Sequence, residues 1–197
     1  MTNNIIIAGV GGQGTILASK IISCAADKKG LFIRTSETIG MAQRGGSVCS
    51  HIRINAEDVS PVIPSHHADI LIGFEPAEAA RQIPKLAKNA KCVVNTDKIV
   101  PTNVALKQGK YLEEEYLEIL KKTLPNGFFM SASPLALEAG DARTLNIVLL
   151  GAAVGADILP FTEDEIREAI KECVKPKLLV MNEKAFNLGM EASGKNR

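Results

Sequence analysis

The chain has 197 residues, of which 46% are hydrophobic and only 4% aromatic, with no Trp. That is enough apolar material for a sizeable core of Ile, Val, Leu and Ala, and too much for a disordered chain. Lys and Arg number 23 against 22 Asp and Glu, a net charge of +1, so no nucleic-acid or membrane partner is expected on electrostatic grounds.

The first predicted element is a strand over Asn4 to Ala8, ending in glycines at Gly9, Gly11, Gly12 and Gly14. A helical pattern over Gln13 to Lys28 follows at once, with Leu17, Ile21, Cys24 and Ala25 on one face. Strand, glycine loop and helix together bare backbone N–H groups where the helix dipole is positive, a site suited to phosphate or another anion. Gly9, Gly11 and Gly14 also match the dinucleotide fingerprint G-x-G-x-x-G in its proper context. The alternative is that the glycines only let the chain turn and let the helix approach the sheet.

Further strands are predicted at Leu31 to Thr35, Val48 to Ile54, Asp69 to Gly73, Cys92 to Asn95 and Phe128 to Ser131. Helices are predicted at Pro76 to Lys85 and Leu112 to Lys122. Alternating strands and helices imply a three-layer α/β/α fold on a mostly parallel sheet. Ser47 to Arg53 alternates polar and apolar residues, as an edge or antiparallel strand does, so a mixed sheet is expected.

The last quarter is helical. Leu145 to Ala156 is apolar nearly all round, with Gly151 and Gly155 on one face, where a close neighbour is expected, either the chain's own sheet or a partner subunit. Thr162 to Glu165 forms a capping box. Pro176 starts a final helix with Leu178, Met181, Ala185 and Leu188 inward, and Ala192 to Arg197 is expected to fray. No internal repeat or long linker divides the chain, and residues 1–197 are expected to form one domain.

A second glycine loop spans Glu37 to Gly46 and follows the second strand, which places it at the same sheet edge as the first. Gly45 and Gly46 allow close backbone approach to a ligand. Arg44, next to Gln43, can hold a carboxylate or phosphate through two parallel hydrogen bonds, or else brace the loop. Glu37 lies where a dinucleotide fold places the acid that holds the ribose, so an NAD-dependent dehydrogenase or free-standing nucleotide-binding protein stands as the alternative function. The candidate ligand-binding residues are thus Gly9, Gly11, Gly12, Gln13, Gly14, Glu37, Gln43, Arg44, Gly45 and Gly46. No nucleophile–base pair or carboxylate pair stands out, so no catalytic residue is assigned.

Cys24, Cys49, Cys92 and Cys173 are scattered with no C-x-x-C spacing, which gives no metal framework. Free thiols fit a reducing, cytoplasmic setting. The first residues run straight into a strand without a signal-peptide pattern. His51 sits on a strand and reads as a structural, hydrogen-bonded histidine. His66 and His67 are neighbours on a loop.

Taken together, Ala8 to Thr15, Glu37 to Gly46 with its Gln-Arg-Gly-Gly, Ser50 to Arg53, Asn146 to Ala152 and Asn182 to Gly189 resemble the gamma-type domain of 2-oxoacid:ferredoxin oxidoreductases. Within that group the resemblance is strongest to the small subunits that act on indolepyruvate. It implies a subunit that works inside a complex converting an aryl 2-oxoacid and coenzyme A to an acyl-coenzyme A, with electrons passed to ferredoxin. In such complexes a large subunit carries thiamine diphosphate, Mg²⁺ and the [4Fe–4S] clusters. This chain lacks the thiamine-type motif, since Gly140-Asp141 is followed by Ala142. The resemblance therefore implies a subunit with no cofactor of its own, inactive alone, that completes a site across an interface or helps to seat coenzyme A.

Overall fold

The computed structural model describes residues 3–40, 45–56, 59–100 and 111–194. Six strands form one sheet in the order β2-β3-β1-β4-β5-β6. They are β1 (Asn3–Val10), β2 (Ile33–Ile39), β3 (Ser47–Ile54), β4 (Ala68–Gly73), β5 (Leu86–Asn95) and β6 (Phe128–Met130). β4, β5 and β6 run parallel to β1, while β3 pairs antiparallel with both β1 and β2. The helices are α1 (Thr15–Lys28), α2 (Pro76–Ala80), α3 (Glu113–Thr123), α4 (Ser133–Ala139), α5 (Leu145–Gly155), α6 (Glu163–Cys173) and α7 (Leu179–Ala192).

The apolar run in β1 reflects burial on both faces of the sheet. Ile5 and Ile7 face the larger core, shared with α1, α5, α6 and α7. Ile6 and Ala8 face the smaller core, shared with α2 and α3. All three isoleucines are fully buried, each worth about 1.5–3 kcal/mol. The α/β/α expectation therefore holds. No helix among the described residues is long and apolar enough to cross a membrane.

Several local expectations are corrected. β3 is antiparallel as its alternation suggests, but it is an interior strand, and β2 holds the edge. β2 begins later and runs further than its apolar residues imply, because its partner is the extended β3 ladder from Ile54 back to Val48. The second predicted helix stops at Ala80, passes through a turn and becomes a 3₁₀ turn at Ile83–Lys85, where Pro84 deprives a continuing helix of a donor. α4 is missing from the sequence reading, although its Ser-Pro start is a helix-opening signal.

In α1 the buried stripe is Ala18, Ile21, Ile22, Ala25 and Ala26, with Leu17 and Cys24 only partly covered. The small side chains let the helix sit close to the sheet. In α7 the inward face is Asn182, Ala185, Phe186, Gly189 and Met190, one residue round from the expected stripe. The cause is the contact with α5. A Cβ on Gly151 would run into the carbonyl of Phe186, and one on Gly189 into the carbonyl of Val148. The close neighbour of Gly151 and Gly155 is thus α7, neither the sheet nor a partner chain. The capping box on α6 forms as expected, with Glu165 N–H donating to Thr162 Oγ1 (3.3 Å) and Thr162 N–H to Glu165 Oε2 (2.8 Å).

His51 is a structural group. It is 3% exposed, and its Nδ1 accepts from Ile63 N–H at 3.3 Å. Burial, with the charge of Lys85 second, pushes its pKa from 6.5 down to about 4. In the unfolded chain the imidazole takes a proton below its ordinary value, while the folded chain resists until about pH 4. Stability from this group is therefore complete above pH 6.5 and is lost as pH falls toward 4. The full loss approaches about 3 kcal/mol. Urea unfolding of the wild type and of His51→Gln between pH 7 and 4 should show the gap between them shrinking by about that amount. A constant gap would show that His51 titrates alike in both states.

Candidate functional site: the crevice at the carboxyl edge of the sheet

The loop after β1 is held from inside. Gln13 is 8% exposed. Its Oε1 accepts from Val10 N–H (2.8 Å) and its Nε2 donates to the Phe74 carbonyl just beyond β4 (2.9 Å). Both ends of the amide are thus spent on the loop and on the neighbouring strand. Gly9 makes room for this brace, since a Cβ there would lie 2.7 Å from Gln13 Oε1 and from Phe74 Cβ. Gly14 takes φ +80° at the start of α1, and a Cβ there would lie 2.7 Å from Asn146 Nδ2. Asn146, buried on the first turn of α5, donates to the Gly14 carbonyl at 3.3 Å.

The two glycine loops meet. Gly11 N–H donates to the Gly46 carbonyl (2.8 Å), and Gly45 N–H donates to the Gly11 carbonyl (3.2 Å). The expectation that both loops lie at one sheet edge is met by Gly45 and Gly46. Gln43 and Arg44 lie outside the described residues. One consequence for anion binding is that the Gly11 N–H is already taken. Gly12 is the open member, exposed, at φ +104° with nothing within 4 Å of an added Cβ.

Glu37 does not join this group. It pairs with Ser50, which pairs with Ile7, so it stands two strands from β1, roughly 10 Å away at the usual strand spacing. It lines a separate groove with Ile16, Lys20 and Phe32. In a plain dinucleotide fold the second parallel strand lies directly beside the first, whereas here β3 is inserted between them.

Opposite the glycines, the far wall comes from residues the sequence reading did not single out. A crevice of ≈ 390 Å³ is lined by Gly11, Gly12 and Gly45 on one side and by Asn95, Asp97, Lys98, Ser133 and Arg143 on the other. Asn95, 1% exposed, ends β5. Its Nδ2 donates to the same Phe74 carbonyl as Gln13 (3.1 Å), and its Oδ1 accepts from Ala132 N–H (3.0 Å). Asp97 accepts from Ser131 Oγ (2.6 Å) and from Ser133 N–H (2.7 Å). Burial alone would raise the Asp97 pKa, but these hydrogen bonds outweigh it and hold the carboxyl below its ordinary value. Asp97 is therefore a fixed negative charge beside Lys98 and Arg143. The signal that would have found this wall is position, since Asn95 ends a predicted strand and Asp97 follows it at its carboxyl end.

Among the described residues no group of three or more His, Cys, Asp or Glu side chains is placed to hold a metal. Cys49 and Cys92 are buried, with their thiols pushed up to about 11 and about 12 mainly by burial.

An open α/β sheet whose first strand feeds a glycine loop, with a crevice over the carboxyl ends of β1, β4 and β5, defines an α/β chain of the doubly wound class. Residues 4–192 match the family described as pyruvate ferredoxin/flavodoxin oxidoreductase, and the chain belongs to that family. It is similar to the indolepyruvate oxidoreductase subunit IorB of Archaeoglobus fulgidus, 43% identical over 191 residues, covering 96% of this chain and 94% of that one. The protein of the same description from Pyrococcus horikoshii is 36% identical over 192 residues, covering 96% and 95%. Among solved structures, the keto/oxoacid ferredoxin oxidoreductase gamma subunit from Geobacter sulfurreducens superposes with a TM-score of 0.68 at 23% identity, covering 97% of this chain and 98% of that one. At that identity the likeness speaks to the fold.

Proposed function

We propose that residues 1–197 form one gamma-type domain acting as the cofactor-free subunit of a cytoplasmic 2-oxoacid:ferredoxin oxidoreductase. The reaction is the oxidative decarboxylation of an aryl 2-oxoacid of the indolepyruvate kind to its acyl-coenzyme A. A large partner subunit supplies thiamine diphosphate, Mg²⁺ and [4Fe–4S] clusters, and ferredoxin takes the electrons. The observation that carries this reading is identity of 36–43% to indolepyruvate oxidoreductase subunits over nearly the whole of both chains. The crevice supports a role at an interface. It offers an exposed glycine backbone at Gly12 and cations at Lys98 and Arg143, groups suited to an anionic part of coenzyme A or of the partner. The dehydrogenase alternative has less support, because Glu37 lies away from the glycine loop.

The test is reconstitution. The isolated chain should bind no iron and oxidise no 2-oxoacid, and turnover should appear on mixing with the large subunit. Stoichiometric iron in the single chain, or turnover without the partner, would overturn the reading. In the reconstituted complex Gly12→Ala should lower activity at least tenfold, because an added methyl obstructs the open face of the loop. The left-handed backbone at Gly12 makes alanine cost about 1–2 kcal/mol of folding stability, within the 5–15 kcal/mol typical of a domain. Full activity in Gly12→Ala would reduce the loop to a turn.

A further inference from the structure

β2 ends the sheet, and among the described residues no strand pairs with its outer side. The phase of its ladder fixes which backbone groups point outward. Asn55 N–H donates to the Phe32 carbonyl (2.7 Å), and Gly40 N–H donates to the Ser47 carbonyl (2.8 Å). In an antiparallel pair the N–H and C=O of one residue point to the same side, and the sides alternate along the strand. Phe32, Arg34, Ser36, Thr38 and Gly40 therefore face β3, while Ile33, Thr35, Glu37 and Ile39 turn both backbone groups outward. Natural edge strands are guarded by Lys, Pro, bulges or short length. β2 has seven residues, no Lys or Pro, and an unbroken register with β3. Its rim is also partly apolar, with Phe32 40% and Ile39 54% exposed.

The order of side chains on β2 suits a second copy of itself. Two antiparallel copies are related by a two-fold axis perpendicular to the sheet, and outward-facing residues must meet outward-facing residues. An axis through Glu37 sets the two Glu37 carboxylates side by side, and like charges placed opposite destabilise a pair. An axis through Thr35 sets Glu37 against Ile33. An axis through Ser36 avoids both. It pairs Ile33 with Ile39 and Thr35 with Glu37 through the outward backbone groups, and sets Arg34 against Thr38 and Phe32 against Gly40. The exposed Ile39 then gains an apolar neighbour, the Phe32 ring lies over a residue with no side chain, and the Glu37 carboxylate meets a hydroxyl. Glu37 and Lys20 line one groove between α1 and β2, yet neither forms an ion pair among the described residues. Both charges stay available across the seam.

We propose that the outer edge of β2 is a docking surface for a second copy of this chain, which adds its own β2 antiparallel about an axis through Ser36 and continues the sheet across the pair. Main-chain hydrogen bonds supply the attraction, as in other cases of strand addition, and the side-chain order sets the register. No residue of the glycine crevice takes part.

The test uses the full chain. Sedimentation equilibrium between about 5 µM and about 500 µM covers a small, transient interface. The mean mass should climb from 21.1 kDa toward twice that value. Ile39→Lys sets a charge against Ile33 and should weaken association about tenfold or more, since the change enters the seam twice. Ile39 is 54% exposed, so the melting temperature should stay put. Thr35→Pro removes one outward N–H, a change that an edge strand tolerates, and should weaken association to a similar extent. Register is read by cross-linking. The Cα atoms of the two Ser36 residues should lie about 4.5 Å apart, as in a pair without mutual hydrogen bonds, within reach of a disulfide. The two Thr38 residues are four positions apart along the seam, roughly 13 Å. Diamide should therefore link Ser36→Cys into a covalent dimer and leave Thr38→Cys and the wild type unlinked, the wild type controlling for Cys24 and Cys173. A mass fixed at 21.1 kDa, association untouched by both Ile39→Lys and Thr35→Pro, or linkage of Thr38→Cys in place of Ser36→Cys would each overturn the proposal. So would a monomer whose Ile39→Lys variant loses the large partner subunit, since the edge would then hold that chain.

Discussion

Gly189→Ala is expected to cost about 3 kcal/mol or more, at the upper end of overpacking penalties. An added Cβ would meet the Val148 carbonyl oxygen and would lie 2.9 Å from Ala152 N. Both neighbours are helix backbone, which cannot swing aside as a side chain can. Relief requires α5 and α7 to separate, and that opens the seam holding Val148, Ala152, Ala185 and Phe186, all fully buried. For a chain of this size each kcal/mol moves the melting temperature by about 2–4 °C, so a fall of about 6–12 °C is expected. Gly30→Ala is the control. Gly30 also has a positive φ, +68°, but nothing lies within 4 Å of its added Cβ. It should cost only the backbone strain, about 1–2 kcal/mol. Equal melting temperatures for the two variants would show that the helices do not touch backbone to backbone.

Asn95→Leu is expected to cost about 2–4 kcal/mol. The side chain is 1% exposed, and its removal leaves the Ala132 N–H, 3.0 Å from Asn95 Oδ1, without that acceptor. Each buried polar group left unpaired costs about 1–3 kcal/mol. The Phe74 carbonyl survives the single change, because Gln13 Nε2 still donates to it at 2.9 Å. Gln13→Leu likewise leaves Asn95 donating to it at 3.1 Å. Only the double variant orphans that carbonyl. Its cost should therefore exceed the sum of the two singles by about 1 kcal/mol, within the usual range for groups that share a partner. Denaturant unfolding of the four proteins measures this. Strict additivity would show that Gln13 and Asn95 do not converge on one carbonyl, and the far wall of the crevice would then need another anchor.

What was legible in the chain was local. The run Asn4 to Ala8, the glycines after it and the periodicity beyond are set by rules acting within a few residues, and strand, loop and helix appear where those rules place them. Thr162 and Glu165 lie three residues apart and form their capping box because nothing distant is needed for it. The α/β class followed from alternating periodicities, and the family resemblance rested on motifs at fixed spacing.

What tertiary structure decided is the order of the strands and the company each site residue keeps. Alternation marks Ser47 to Arg53 as an edge or antiparallel strand, but only pairing with both β1 and β2 makes it interior. That insertion moves Glu37 away from the glycine loop. Gly151 and Gly155 announce a close approach without naming the neighbour, which proves to be α7, some 35 residues on. The crevice joins Gly12 to Asn95, Ser133 and Arg143, residues separated by most of the chain. Their meeting depends on which strands pair and which helix faces pack. Those choices are made by summed burial over the whole core, and no local pattern in the sequence carries them.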